Sequence, residues 1–302
     1  MLNRGPIAAY PLGCTCRFYL RAEGNEGTVK LLLCLSVCSI LAAQETPAPQ
    51  AAPSPAPAGP ARDSAEIERM FSIGLYDWLP SGGPSLRGGV NLTDPSSGDL
   101  KLPQKPSRAY GAMVTIPTKG WSRLEVSFLT MSDSGSAIAA RDLFLLGTSI
   151  PQNEPLATGY SLRHIKASWN YLTYPNPPQD AKLRIKTLWE VHYVSVKPSV
   201  ELTSTAPGVP FTQTQSIILP AVGLGVEYVA SRHFRMEIRG SGMALPHRAA
   251  LGDADATAVV RVRSLEVFAG GKGLYFRTSP QNDTYTRGLL WGPYGGLRWV
   301  FR

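Results

Sequence analysis

The residues best suited to acid–base or metal chemistry in this chain are its histidines and the charged groups around them. His164 and His192 stand among Lys166, Lys186 and Glu190, while His247 precedes Asp253 and Asp255 by a few residues. A histidine beside a carboxylate can relay a proton or hold a cation. Neither group sits in a motif that would commit it to such work: the chain has no GxSxG, no HExxH, no phosphate-binding Walker loop and no dinucleotide fingerprint. Catalytic, cofactor-binding and metal-ligating residues are therefore assigned to none, and no cofactor is expected. All four cysteines, Cys14, Cys16, Cys34 and Cys38, lie before residue 44, so a chain beginning there has no disulfide and no thiolate metal site. The histidines read better as members of a polar ladder, which turns attention to the elements that carry them.

Those elements are strands. Between Val222 and Met243, apolar Val222, Leu224, Val226 and Tyr228 alternate with Gly223, Gly225 and Glu227, and Phe234, Met236 and Ile238 alternate with Arg235, Glu237 and Arg239. Period two sends the two sets to opposite faces. Ten such runs are expected, at about 70–78, 108–117, 121–131, 160–174, 182–196, 216–230, 233–243, 256–262, 265–276 and 287–302. Connections alternate short and long, the long ones at 79–105, 132–157, 197–214, 245–255 and 279–285, with a short helix expected near 139–146. An even strand count with one plain rim and one elaborated rim predicts an all-β, antiparallel, up-and-down transmembrane β-barrel of about ten strands, eight and twelve being the neighbouring even counts.

Assigning faces by this period gives a lumen lined by Glu125, His164, Lys166, Arg184, Lys186, Glu190, His192, Glu227, Arg235, Glu237, Arg239, Arg261 and Arg298. The other face carries the apolar set, with aromatic girdles at Tyr171, Tyr228, Phe234, Trp299 and Phe301 near the short turns and Tyr193 and Tyr275 near the long loops. Such a wall encloses little beyond its own side chains, so a narrow or plugged polar lumen is expected. A lumen position such as Glu227 should tolerate glutamine better than lipid-facing Val226 tolerates arginine.

Pattern alone does not choose between lipid and water for the apolar face, and the N-terminus supplies the choice. Lys30, an uncharged stretch from Leu31 to Leu41, then Ala42 and Ala43 form a secretory signal too short to span a membrane. Residues 1–43 are the presequence, with Val29 a candidate true start. Residues 44–66 are a Pro/Ala-rich periplasmic tether that cannot bury a core, and residues 67–302 are the barrel. Beyond the signal no apolar stretch is long enough for a membrane helix. A chain starting at Gln44 keeps 26 basic and 20 acidic residues, a net charge of about +6 that gives no reason to expect nucleic acid.

The last run ends Gly295-Gly-Leu-Arg-Trp-Val-Phe301-Arg302, with apolar or aromatic residues at every second position. It resembles the signal by which bacterial barrels are recognised for assembly. The stretches 223–235, 242–248 and 276–285 resemble uncharacterised outer-membrane β-barrel proteins of the acidobacterial type. That resemblance covers residues 65–302 and implies a barrel fold and a Gram-negative outer membrane with both termini periplasmic. It implies as partners the membrane lipid and, through the C-terminal strand, the barrel-assembly machinery. It names no surface ligand and no activity. Three functions follow as expectations: a structural or surface-interaction scaffold, a porin-like but narrow and weakly anion-leaning pore for small solutes, and an outer-membrane enzyme. For the last, ten-stranded surface proteases of the omptin type place acids and a histidine at the outer rim, where His247, Asp253 and Asp255 are expected.

Overall fold

The computed structural model describes residues 70–88, 99–103, 108–175, 181–204, 210–246, 248–281 and 284–301. The presequence, the tether, His247 and Arg302 lie outside the described residues. The strands are β1 (Ser72–Trp78), β2 (Pro84–Gly88), β3 (Asp99–Lys101), β4 (Ala109–Pro117), β5 (Ser122–Ile138), β6 (Leu143–Leu145), β7 (Thr148–Ile150), β8 (Pro155–Tyr174), β9 (Leu183–Leu202), β10 (Phe211–Thr212), β11 (Gln215–Ser231), β12 (Phe234–Leu245), β13 (Ala249–Val262), β14 (Leu265–Arg277) and β15 (Thr284–Val300).

Ten of these pair antiparallel in the order β1-β4-β5-β8-β9-β11-β12-β13-β14-β15, and β15 pairs back onto β1. The sheet is closed, so every strand of the wall has two neighbours and no edge is left to recruit another chain. Beyond Pro80 the first strand resumes as β2, in unchanged register with β15, and β3 pairs with β2. Hydrogen-bonded partners can be followed round the wall from Ser72 through Thr115, Glu125, Ser168 and Glu190 to Ala221. From the adjacent Val222 they run through Gly242, Gly252 and Tyr275 to Leu289, and return to the first strand about twelve residues above the start. A stagger of that size goes with strands tilted about 40° from the barrel axis.

The rim that carries both described chain ends is nearly level, and the connections β4–β5, β11–β12 and β13–β14, which lie wholly among the described residues, are tight turns. Arg263 and Gly120 take the left-handed conformation, with φ of 57° and 73°, that such turns need. The opposite rim is uneven. β5, β8 and β9 run for 17, 20 and 20 residues, whereas β12, β13 and β14 run for 12, 14 and 13.

Several boundaries expected from sequence are corrected: β5 runs on to Ile138 and β8 starts at Pro155, inside the expected loop 132–157, and β2 and β3 lie inside the expected loop 79–105. Residues 249–255 are not loop: β12 continues to Leu245 and β13 begins at Ala249, pairing Leu245 with Ala249 and Asp253 with Ser241. Ala, Gly and Asp there weaken the hydrophobic alternation without preventing the ladder. The stretch 139–146 is not helical. It enters the hairpin β6–β7, whose turn residues Leu146 and Gly147 have φ of 52° and 79°, the pair of positive values a two-residue hairpin turn favours. β9 reaches Leu202, with β10 paired against it at Ser199 and Val200.

Candidate functional site: the barrel interior

Inward-facing side chains form three successive layers between the level rim and the uneven one. The layer nearest the level rim is ionic. Glu227 is fully buried and meets Lys186 Nζ at 3.1 Å, Arg235 Nε at 3.5 Å and Arg184 at 3.6 Å. Glu237 receives Lys186 at 3.2 Å and Arg123 at 3.5 Å. Arg235 donates two parallel hydrogen bonds to Glu266 at 3.1 and 3.0 Å, the fork geometry that a carboxylate accepts best, and Arg261 and Arg298 converge on the same carboxylate.

The middle layer ties opposite walls together. Arg239 of β12 bonds Glu125 of β5 at 3.0 Å and its strand neighbour Asp255 at 3.1 Å. Lys166 of β8 bonds Asp253 of β13 at 2.8 Å, and Lys272 takes the other oxygen of Asp253 at 2.8 Å. His164 Nε2 lies 3.0 Å from His192 Nδ1, with the rings stacked 5.2 Å apart, and His192 Nε2 lies 2.9 Å from Glu190. Ser168 and Ser241 both donate to Glu190. β5 joins β12, and β8 joins β13, across the lumen, so the charged residues bridge the interior instead of lining an open tube.

Glu190, His192 and Asp253 bring one ligand atom each within 4.8 Å of one another. Both oxygens of Asp253 are already held by ammonium groups, and a cation placed there would meet Lys166 and Lys272 at close range. This donor set fits an ion-pair network better than a metal ion. Asp253 and Asp255, expected beside His247 at the outer rim, are instead buried on β13 and face inward. No rim constellation forms from them.

Every predicted lumen residue has its side chain inside the wall: Glu125, His164, Lys166, Arg184, Lys186, Glu190, His192, Glu227, Arg235, Glu237 and Arg261 are buried, and Arg239 and Arg298 nearly so. The interior also holds Arg123, Glu266, Asp253, Asp255 and Lys272, which makes nine basic against seven acidic side chains among the described residues. Of the aromatic positions, Tyr171, Tyr228, Tyr275, Trp299 and Phe301 are exposed on the outer face, and Tyr193 and Phe234 are half-exposed on the same face. The register sets Tyr193 and Tyr275 about nine strand residues above the other five, roughly 23 Å at a 40° tilt.

The third layer was not anticipated. Toward the uneven rim the inward positions turn apolar on strand after strand: Leu129 and Met131, Leu162, Val194 and Val196, Ile217 and Leu219, Leu251, Leu274 and Phe276, and Leu290 pack as one cluster with Trp78. Above it a second cluster joins Leu86 and Leu100 to Leu143, Leu145 and Ile150 of the β6–β7 hairpin and to Leu156 and Val200 across the mouth. The hairpin lies so close that a Cβ on Gly88 would run into the Phe144 carbonyl.

At that level the outer face changes in the opposite sense. Below it the outward positions include Val126, Phe128, Trp169, Trp189 (57% exposed), Leu224 (61%) and Ile238. Above it they are mostly polar, Ser132, Ser134 and Ser136 on β5, Ser161 and Arg163 on β8, and Ser195, Lys197, Ser199 and Glu201 on β9, with Ile138 at the tip of β5 the apolar exception. The signal lay in the same period-two pattern, since one strand read to its end shows apolar and polar positions exchanging faces.

No protein-family model matches the chain, and no curated protein sequence matches it. Its fold is similar to that of the outer-membrane protease OmpT of Escherichia coli, with a TM-score of 0.50 at 10% identity, covering 77% of this chain and 97% of that one. Weaker matches include Ail, the attachment invasion locus protein of Yersinia pestis (TM-score 0.31, 8% identity, covering 76% of this chain and 99% of that one). Another is the toluene transporter TodX of Pseudomonas putida (TM-score 0.26, 9% identity, covering 81% and 93%). With its ten antiparallel strands closed in sequence order, an apolar outer belt and a charged interior, the chain has the fold of the bacterial outer-membrane β-barrels.

Proposed function

We propose that this chain is an outer-membrane protein with both termini in the periplasm, whose sealed barrel is a rigid support for a surface-exposed wall and lid and does not serve as a channel. The observation that carries the reading is the exchange of faces at one level. Below it, apolar residues point out and charges point in, as a lipid-embedded wall requires. Above it, polar residues point out and apolar ones fill the inside, as in a barrel standing in water. A solute would have to cross the apolar layer around Leu129, Leu162, Val194 and Leu219 and then an ionic network bridged from wall to wall.

In this reading the signal at 28–43 exports the chain, residues 44–66 tether the barrel on the periplasmic side, and the final strand ending at Phe301 is handed to the assembly machinery. The three stretches that resemble acidobacterial-type small barrels support a place in that group. Tyr193 and Tyr275 on one side and Tyr171, Tyr228, Phe234, Trp299 and Phe301 on the other are read as the two interfacial girdles, and lipid as the contact of the belt between them.

Membrane fractionation with heat-modifiable migration tests the location, and planar-bilayer recording of the purified full chain tests the seal. Small or absent single-channel steps are expected. A large, stable conductance, or liposome swelling in a disaccharide, would replace the scaffold by the porin reading. The surplus of basic groups in the interior is the one observation favouring that second reading, in its narrow, anion-leaning form. An enzymatic role centred on Glu190, His192 and Asp253 would need substrate to pass the same apolar layer.

A further inference from the structure

The ionic layer at the level rim carries more positive than negative charge, and a small cavity opens where the surplus is greatest. Arg123, Arg235, Arg261 and Arg298 line it together with a single carboxylate residue, Glu266, and two hydroxyl residues, Ser72 and Thr115. Glu266 is shared by three of these guanidinium groups. Glu227 and Glu237 also neutralise Arg184 and Lys186, and Glu125, which pairs with Arg239, is shared electrostatically with Arg298 and Arg123, so the six cations of the layer face three carboxylates of their own and part of a fourth. Buried charge of one sign is costly unless a counter-charge accompanies it.

A second observation is independent of the charge count. Thr115, which lines the cavity, is almost wholly buried on β4, and its Oγ1 has no hydrogen-bond partner. Arg298 Nε, also against the cavity, is likewise buried without an acceptor. Both are potential donors on residues that line the same cavity, and a buried donor left unsatisfied is uncommon. The open volume of the cavity is about 10 Å³, room for about one water-sized sphere. Phosphate, sulfate and carboxylate groups are too large for it.

We propose that this cavity is a binding site for one halide-sized anion, chloride in the cell, entered from the rim that carries both chain ends. The anion takes the Thr115 hydroxyl and the Arg298 Nε–H as donors and neutralises part of the guanidinium surplus. It is a structural counter-ion below the ionic network and not a permeating species, because the apolar layer closes the other end.

The test uses the folded full chain in detergent, transferred at constant ionic strength from sodium gluconate to sodium chloride or sodium bromide. Chloride and bromide are expected to raise the thermal unfolding temperature saturably. Bromide soaked into crystals should give an anomalous peak between Thr115 Oγ1 and Arg298. Thr115→Val, nearly isosteric and expected to fold, should weaken bromide binding about tenfold, the worth of one hydrogen bond to a charged group. Arg298→Gln should weaken it further. An ordered water at the position with no halide-specific stabilisation would overturn the proposal. So would a halide effect unchanged in Thr115→Val, or a stronger response to phosphate or sulfate than to chloride.

Discussion

Glu227 and Val226 are adjacent on β11 and face opposite solvents, and the contrast between them is where the geometry changes an expectation. Seen as one polar residue among many in a wet lumen, Glu227 should accept glutamine easily. In the structure it is fully buried and meets three cations. Removing its charge takes a counter-charge from Arg184, from Lys186, which keeps Glu237, and from Arg235, which keeps Glu266, a loss of up to about 3–5 kcal/mol in a buried network. Arginine on the apolar belt costs roughly 2–4 kcal/mol at the middle of a bilayer and less toward its edge, and Val226 lies only two residues from Tyr228 of the girdle near the level rim. Glu227→Gln should therefore reduce stability in urea at least as much as Val226→Arg, measured on protein folded into lipid vesicles. The type of residue that faces inward was legible because period two sorts side chains without any knowledge of the fold. The partner of each charge was not. That Lys166 meets Asp253, or Arg239 meets Glu125, depends on the stagger of strands that lie far apart in the chain, and no local pattern records it.

At the scale of elements, strands and tight turns followed from alternation and turn residues, and they form a closed sheet in sequence order. Misreadings occurred where local composition and long-range pairing disagree. Residues 249–255 are rich in Ala, Gly and Asp, which resemble a loop in isolation, yet β12 offers a complete row of partners, and pairing prevails over weak propensity. The stretch 139–146 has helix-favouring Ala and Leu, but its apolar side chains find burial against β2 and β3 only as a hairpin. Glycines inside strands mark another long-range requirement. Gly111 on β4 faces inward opposite Tyr76, and a Cβ there would overlap the Tyr76 ring, whose hydroxyl donates to the Phe128 carbonyl at 3.2 Å. Gly111→Val should force that ring aside and lower stability by about 1–3 kcal/mol through overpacking. The same substitution at Gly271, where an added Cβ meets nothing within 4 Å, should cost much less. Denaturant midpoints of the two variants, compared at equal denaturant dependence, check this.

For the whole molecule, the two apolar clusters make separate contributions to closure. The upper one depends on the β6–β7 hairpin, while the lower one belongs to the wall itself. Replacing residues 141–152 by a short Gly/Ser linker should therefore leave the barrel non-conducting, although it strips the lid. A combined truncation of Leu129, Leu162, Leu219 and Leu251 to alanine in that background should admit ions. If deletion of the hairpin alone produces a stable open channel, the hairpin is the gate and the inner layer is not a seal.

The unequal strand lengths give the molecule a parapet on one side only. β5, β8 and β9 outrun β12, β13 and β14 by about three to eight residues, and strand tilt turns that difference into a step of roughly 15 Å at the far rim. With both chain ends in the periplasm, as proposed above, a visitor the size of a protein in a carbohydrate-coated envelope would meet the parapet first, and the β12–β13 turn would lie at headgroup depth. A cysteine at Ser149 should react on whole cells with a bulky, membrane-impermeant maleimide, whereas one at Arg248 should react only after the coat is stripped or with a small reagent. Equal labelling at the two sites would mean that the rim is level in the membrane. In that proposed orientation, anything that approaches from outside the cell would meet one shoulder of the barrel before the rest.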